Sequence, residues 1–235
     1  MTGVNEKIRL LIFHPKEFYL KVRNEKGYKG PLLFYAILLI MVSFIGLILD
    51  FIADLMTQHF ENLFFLLVSV VYSLFLIAAV AFVLPFIFSA FTHIGLKILR
   101  VKSNFQRTFK VVTYAGIIGI FYSLILHFIN FFFSLSFPGL LHYPEEVSQG
   151  LPIWIYGLTF IIGLISFVHV IIVEIIGLVK EYKISKVRAF FAVIIVPLML
   201  FIVLAIVLFV FFLVMFLMFQ SIDVVSFSGI LASSV

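Results

Sequence analysis

Four ionisable side chains lie inside or beside long apolar runs of this sequence, and they are the first candidates for chemistry: His93, Lys97, His169 and Glu174. Ionisable groups are costly within a membrane, so those found there often mark functional sites. If the four share one membrane level, a Lys97–Glu174 ion pair with two nearby histidines could bind an anionic ligand or relay protons. The alternative is that Lys97 extends to lipid head groups and that Glu174 already lies in the interfacial region.

The elements that must position these residues are five apolar runs that contain no Lys or Arg. About 20 apolar residues are enough for a helix to cross the hydrocarbon core of a bilayer. The sequence therefore predicts an all-α membrane protein, a bundle of five transmembrane helices, with the second span bending near Pro85. The predicted spans are about 31–50, 63–99, 111–133, 152–176 and 189–219.

The distribution of the sixteen Lys and Arg residues predicts the orientation of these spans. Seven precede the first run, five lie between the second and third, four lie between the fourth and fifth, and the other polar segments have none. By the positive-inside rule the N-terminus lies in the cytoplasm and the C-terminus outside, as in a multi-pass protein of the cell membrane. The excess of cations on the cytoplasmic side predicts contact with anionic lipid head groups or with an acidic cytoplasmic protein, and not with nucleic acid.

Three regions follow from this pattern: a cytoplasmic amphipathic segment over 1–30, a transmembrane domain over 31–219 and an external tail over 220–235. In the first region Ile8, Leu11 and Ile12 share one helical face, and Pro15 fits the first turn of a second helix. We expect one or two short helices at the cytoplasmic head-group boundary. They either orient the first span or bind a partner.

Small residues recur every four positions on the second and third runs. Such spacing lets helix backbones approach closely in lipid, which predicts that these two spans lie at the centre of the bundle and the fifth at its edge. A homo-oligomer that completes a pore is a further possibility. The candidate packing residues are Ala81, Pro85, Ser89, Ala115, Gly119 and Ser123.

Several enzyme classes have no support in the sequence. There is no cysteine, and the six histidines form neither a His-x-x-x-His nor a His-Glu-x-x-His pair, so no zinc site is predicted. No Gly-x-Ser-x-Gly, phosphate-binding Gly-Lys-Ser/Thr or dinucleotide fingerprint occurs. We predict a protein that is not an enzyme and that needs no cofactor.

Four stretches carry a family resemblance: His-Pro-Lys-Glu-Phe at 14–18, the residues at 93–97 and 103–115, Trp154 at the start of the fourth span, and 184–189. With these stretches the chain resembles the Yip (Ypt-interacting protein) family, specifically its prokaryotic branch, over about residues 10–219. The cation-rich loop between the second and third spans departs from the family, which often has Gly-Gly where this chain has Arg-Val-Lys at 100–102. A Pro common in the third span is missing, with Gly119 nearby.

The resemblance implies a membrane protein of the Yip family. Eukaryotic relatives bind prenylated Rab GTPases and shape vesicle-forming membranes, but their Asp-Leu-Tyr-Gly-Pro motif is absent from this chain. The leading hypothesis is a non-catalytic protein that organises the membrane or recruits a partner through its basic side. The alternative is a small transporter or channel subunit with a polar site near the cytoplasmic ends of spans two and four. An intramembrane enzyme is the third hypothesis, and no nucleophile–base pair supports it.

Overall fold

The computed structural model describes residues 4–25, 27–56, 63–136 and 153–232, and these residues form helices with no strand. Five of the helical segments are long and apolar enough to cross a membrane, which confirms the predicted all-α fold with five spans. Their orientation in the membrane stays a prediction. The segment between the third and fourth spans, predicted as an outer loop over residues 134–152, is helical at 134–136, and its remainder lies outside the described residues.

Two short helices precede the spans, and the fifth span is composite. The segment Phe191–Ile195 is π-helical and joins two α-helical pieces of that span. The last helix continues to Ala232, into the segment predicted to be an external tail. The helices are α1 (Val4–Phe13), α2 (Pro15–Lys21), α3 (Lys29–Met56), α4 (Leu63–Ile98), α5 (Phe105–Ser136), α6 (Ile153–Tyr182), α7 (Lys186–Phe190) and α8 (Val196–Ala232).

Helix α5 lies at the centre of the bundle and packs against α3, α4 and α6. The buried part of α5 runs from Thr108 to Ile120. Helix α8 and the π-helical segment meet α4, and α8 exposes apolar side chains from Leu198 to Met215. Exposed apolar side chains are what a lipid-facing helix surface requires. We therefore describe the molecule as a multi-pass membrane protein whose helices contact the bilayer.

The main hydrophobic core lies at the end of the bundle that carries the Lys and Arg residues, which we call the basic end. Leu11, Phe18 and Tyr19 from the two short helices are almost fully buried there, against Ile117 of α5 and Leu178 of α6. The two short helices are therefore part of the folded core. Their apolar face packs on protein, whereas the sequence predicted that it would face the head-group boundary.

Two turns at the basic end share an unusual backbone conformation. Arg100 follows α4 with φ 55° and Lys183 follows α6 with φ 54°, the left-handed region that favours glycine. Beside Arg100, the Val101 amide donates to the Leu96 carbonyl at 2.9 Å, which satisfies a free carbonyl in the last turn of α4. Both cation-rich loops thus leave their helices through a left-handed residue, and the turn at Arg100 is closed by hydrogen bonds.

Candidate functional site

Helices α1 and α2, with the 3-10 turn Val22–Asn24, fold over the basic end, and we call them the cap. The Tyr19 hydroxyl of the cap donates to the Val111 carbonyl of α5 at 3.1 Å. Gly177 of α6 leaves the room for this contact, since a Cβ there would lie 2.6 Å from Tyr19 Cζ and from Val111 Cγ1. Burial raises the pKa of the Tyr19 phenol well above its usual value, and the negative charge of Glu174 adds to the effect. Tyr19 therefore stays protonated and can donate.

A buried lysine of α5 binds the cap through hydrogen bonds to its backbone. Lys110 of α5 is only 3% exposed, and its ammonium donates to the carbonyls of Val22 at 3.3 Å and Arg23 at 3.1 Å. The same ammonium lies 3.4 Å from a carboxylate oxygen of Glu181 on α6, which is also buried. A charge taken out of water needs this full set of partners. The Lys110–Glu181 pair thus connects α5, α6 and the cap.

Two further carboxylates at the basic end, Glu6 of the cap and Glu25 just after it, are also paired. Glu25 lies 2.6 Å from Lys7 and accepts a hydrogen bond from the Tyr114 hydroxyl. Glu6 lies 2.6 Å from Lys21, whose hydrogen bond and charge lower the pKa of Glu6. These pairs neutralise two anions of the basic end, and many of its other cations stay exposed.

The exposed cations form what we call the basic face. They come from the cap and the start of α3, from the α4–α5 loop and its flanking turns, and from the α6–α7 turn with α7, so three separate stretches of sequence meet on one end of the bundle. Beside them the cap also exposes the apolar side chains of Phe13 and Leu20. The basic face comprises Arg9, Lys16, Lys21, Arg23, Lys29, Lys97, Arg100, Lys102, Arg107, Lys183, Lys186 and Arg188.

The four ionisable residues singled out in the sequence have different surroundings. Lys97 is exposed, and within the described residues its ammonium does not form an ion pair with Glu174. Glu174 is 7% exposed and accepts a hydrogen bond from Thr92 of α4 at 2.8 Å. His169 Nδ1 lies 3.2 Å from the Tyr122 hydroxyl of α5.

His93 belongs to a separate hydrogen-bonded chain at the surface of the basic end. Its Nδ1 lies 3.3 Å from the Thr108 hydroxyl, which lies 2.8 Å from the Tyr182 hydroxyl. Tyr182 in turn donates to the Asn104 carbonyl at 2.7 Å. This chain fixes the α4–α5 loop to the end of α6, a structural role that explains the position of His93 without a ligand. A joint site of all four residues stays a prediction.

The candidate packing residues mostly lie in the interior. On α4, Ala81, Pro85 and Ser89 are buried in one row, and the Ser89 hydroxyl donates to the Pro85 carbonyl. On α5, Ala115 is fully buried, and a Cβ on Gly119 would touch Val170 of α6 at 3.9 Å. The hydroxyl of Ser123 donates within its own helix, to Ile120.

Two cavities lie near these residues. One, of about 800 Å³, is polar and lies beneath the cap, between Arg23, Glu25, Arg107, Lys110 and Glu181. The other, of about 740 Å³, is mainly apolar and lies between α4, α5, α6 and the start of α8, with Thr92, Thr113 and Glu174 in its wall. Among the described residues no group of His, Asp and Glu side chains could hold a metal ion.

The sequence did not single out Lys110, Glu181 or Tyr19, although all three connect the cap to the bundle. Lys110 looked like one more cation of a basic loop, and Glu181 like one more surface carboxylate. The available signal was the position of Lys110, five residues into a helix whose following turns are apolar. A cation at such a depth needs a buried partner.

The fold and the arrangement of charges define an all-helical, multi-pass membrane protein with a compact basic end. Comparison with family models gives a match to the Yip1 domain over residues 8–209. The chain therefore belongs to the Yip family, as its sequence motifs suggested. No curated protein and no solved structure shows a significant match.

Proposed function

We propose that this Yip family protein acts without catalysis, as a membrane-organising and partner-recruiting protein of the cell membrane whose basic face lies in the cytoplasm. The observation that carries the proposal is the separation of charges at the basic end. Glu6, Glu25 and Glu181 are each paired with a lysine of the chain, and the exposed cations of the basic face outnumber these anions. A surface of this kind attracts anionic head groups and acidic proteins, each Lys or Arg contributing about 1 kcal/mol near an anionic membrane.

The geometry indicates that the basic face is a fixed surface rather than a flexible charged tail. The cap is held by the Tyr19–Val111 hydrogen bond and by the Lys110 contacts, and the loops leave through the tight turns at Arg100 and Lys183. A preorganised set of cations loses little entropy when it binds an anionic surface. Exposed Phe13 beside these cations suits insertion among head groups.

The test uses the full chain and a variant in which Arg100, Lys102, Lys183 and Lys186 are all changed to Gln. These four side chains are exposed and lie outside the ion pairs of the described residues, so the variant should keep the fold. Both proteins are reconstituted in nanodiscs of mixed neutral and anionic lipid, and the anionic lipid retained around each is measured by mass spectrometry. We expect several-fold lower enrichment in the variant, and lower enrichment in high salt.

A control of opposite sign is Glu17→Gln, which removes an exposed anion from the cap and should raise the enrichment slightly. Partner recruitment is measured with a polyglutamate peptide on nanodiscs of neutral lipid. If the variant lost peptide binding but kept its lipid enrichment, the basic face would be a binding surface for an acidic protein and not for anionic lipid. Unchanged results in both assays would contradict the proposal.

A further inference from the structure

The mainly apolar cavity of about 740 Å³ shares no residue with the basic face, so what it binds is independent of the proposed function. Its volume falls in the range of about 300–1,000 Å³ that is typical of small-molecule sites. Much of its wall is apolar. Three lining side chains from different helices are more than half exposed: Phe88, Phe167 and Phe201. These side chains lie on surfaces that contact lipid, so the cavity is open to molecules dissolved in the bilayer.

The polar groups of the cavity lie together at one depth. Thr92 is six residues before the end of α4, Thr113 is eight residues after the start of α5, and Glu174 is eight residues before the end of α6. At about 1.5 Å per residue, each lies about 9–12 Å from the basic end. Phe88 and Phe167 lie on the far side of this level, toward the centre of the bilayer. The cavity is thus polar near the head groups and apolar below them, as a bound amphiphile requires.

The hydrogen-bonding capacity at the polar end is only partly used. The Thr92 hydroxyl donates to one carboxyl oxygen of Glu174, whose two oxygens together can accept several hydrogen bonds. The Thr113 hydroxyl is buried, 1% of the residue being exposed, and finds no hydrogen-bond partner among the described residues. An unpaired buried hydroxyl is costly. A ligand that offers both a donor, to Glu174, and an acceptor, to Thr113, would satisfy both groups.

The backbone around the cavity is also unusual. Pro197 lines the cavity and cannot donate a backbone N–H, and the turn before it is π-helical, with the Val196 amide bonded to the Phe191 carbonyl. Pro85, which also lines the cavity, interrupts the hydrogen bonds of α4. Single π-helical turns in long helices are frequent at binding sites. Pro85, Pro197 and residues of the π-helical turn thus all lie in the wall of the cavity.

We propose that this cavity binds a glycerolipid with a free hydroxyl, of the monoacylglycerol or diacylglycerol class. The free hydroxyl donates to Glu174, the adjacent ester carbonyl accepts from Thr113, and the acyl chain lies along Phe88 and Phe167. A fatty acid would place a second carboxylate beside Glu174. A long-chain amine would bury an ion pair in an apolar wall, where desolvation offsets the attraction.

The experiment uses the full chain in nanodiscs of neutral phospholipid and a monoacylglycerol with a photoactivatable diazirine in mid-chain. After irradiation, peptides are mapped by mass spectrometry. We expect labelling on α4, α6 and the first turns of α8 near Phe88, Phe167 and Phe201. Monooleoylglycerol and dioleoylglycerol should compete, and their relative potency tells which class binds. Competition by methyl oleate equal to that of monooleoylglycerol, or better competition by oleylamine, would overturn the proposal.

Thr113→Val is the sharpest variant, because it keeps the side-chain shape and removes a hydroxyl that has no partner in the described structure. It should fold as well as the natural protein and reduce labelling about 3- to 10-fold, as expected for one lost hydrogen bond. Glu174→Gln is the second variant and should weaken competition by monooleoylglycerol. Thr159→Val, on α6 outside the cavity, is the matched control and should label normally. Normal labelling of a folded Thr113→Val protein would contradict the proposed contact.

Discussion

The hydroxyl of Tyr19 donates to the backbone carbonyl of Val111 at 3.1 Å, across 92 positions of sequence. Tyr19 is 2% exposed, and Val111 is fully buried. This contact joins the cap to the central helix of the bundle. The basic face is therefore a surface of the folded domain, and changes that loosen the cap should rearrange the cations it carries.

The close approach of α6 to the cap gives the first prediction. In Gly177→Ala the new Cβ would lie 2.6 Å from Tyr19 Cζ and Val111 Cγ1, so the cap must shift. We expect a loss of about 1–3 kcal/mol in the free energy of unfolding, as for other overpacked cores. Thermal unfolding of the full chain in nanodiscs measures it. Gly163→Ala on the same helix meets nothing within 4 Å and should be neutral or slightly stabilising; an equal loss there would remove the steric explanation.

The second prediction concerns the buried cation. Lys110→Met leaves Glu181 without its buried partner and the carbonyls of Val22 and Arg23 without a donor. Breaking such a pair costs about 3 kcal/mol or more. The loss should appear in thermal unfolding and as faster proteolysis within the cap. Adding Glu181→Gln should recover part of it, whereas Lys102→Met at an exposed position should change stability by less than about 0.5 kcal/mol. Equal effects of Lys110→Met and Lys102→Met would contradict the buried pair.

The backbone of the α4–α5 turn gives the third prediction. Arg100 adopts φ 55°, where a side chain costs about 1–2 kcal/mol and glycine costs little. Arg100→Gly should therefore raise the free energy of unfolding by about 0.5–1 kcal/mol, since part of the gain is offset by the greater freedom of glycine in the unfolded chain. Lys102→Gly, at a neighbouring exposed position, should not stabilise. A destabilising Arg100→Gly would mean that the arginine side chain contributes more than its backbone costs.

The fourth prediction is a pH dependence. The pKa of Tyr19 is raised above its ordinary value of about 10, so the unfolded chain loses this proton at a lower pH than the folded one. The stability that Tyr19 contributes is thus present below pH about 10 and is lost as pH rises through the folded-state value. Tyr19→Phe removes the hydrogen bond, at a cost of about 0.5–1.5 kcal/mol near neutral pH, and should flatten the alkaline decline of stability. An unchanged alkaline profile in Tyr19→Phe would contradict this assignment.

The number of spans was predictable because lipid imposes length and apolarity on every crossing helix. The neighbours of each helix were less predictable, because a helix that is apolar on all sides does not reveal which face packs on protein. Helix α8 is an example, since it is apolar from Val196 to Phe219. The π-helical segment before it meets α4 closely near Ala192, where a Cβ on Gly95 would lie 2.6 Å from the Ala192 carbonyl.

The candidate site was predictable only in part. Glu174 was singled out because a carboxylate in an apolar run is rare, but its partner Thr92 has an ordinary residue type that composition does not distinguish. The cap packs on the bundle through individual contacts of Lys110, which also pairs with Glu181, 71 positions away in the sequence. Charge patterns assign residues to one side of a membrane, and they do not say which residues pair.

The proposed function requires that the basic face lies in the cytoplasm, on the side opposite the segment between α5 and α6. The natural chain has no cysteine, so single cysteines can be introduced at exposed Lys102 and at Ser148 without background. A membrane-impermeant maleimide applied to intact cells should label Ser148→Cys at once and Lys102→Cys only after permeabilisation. Labelling of both in intact cells, or of Lys102→Cys alone, would contradict the proposed topology and the cytoplasmic role of the basic face.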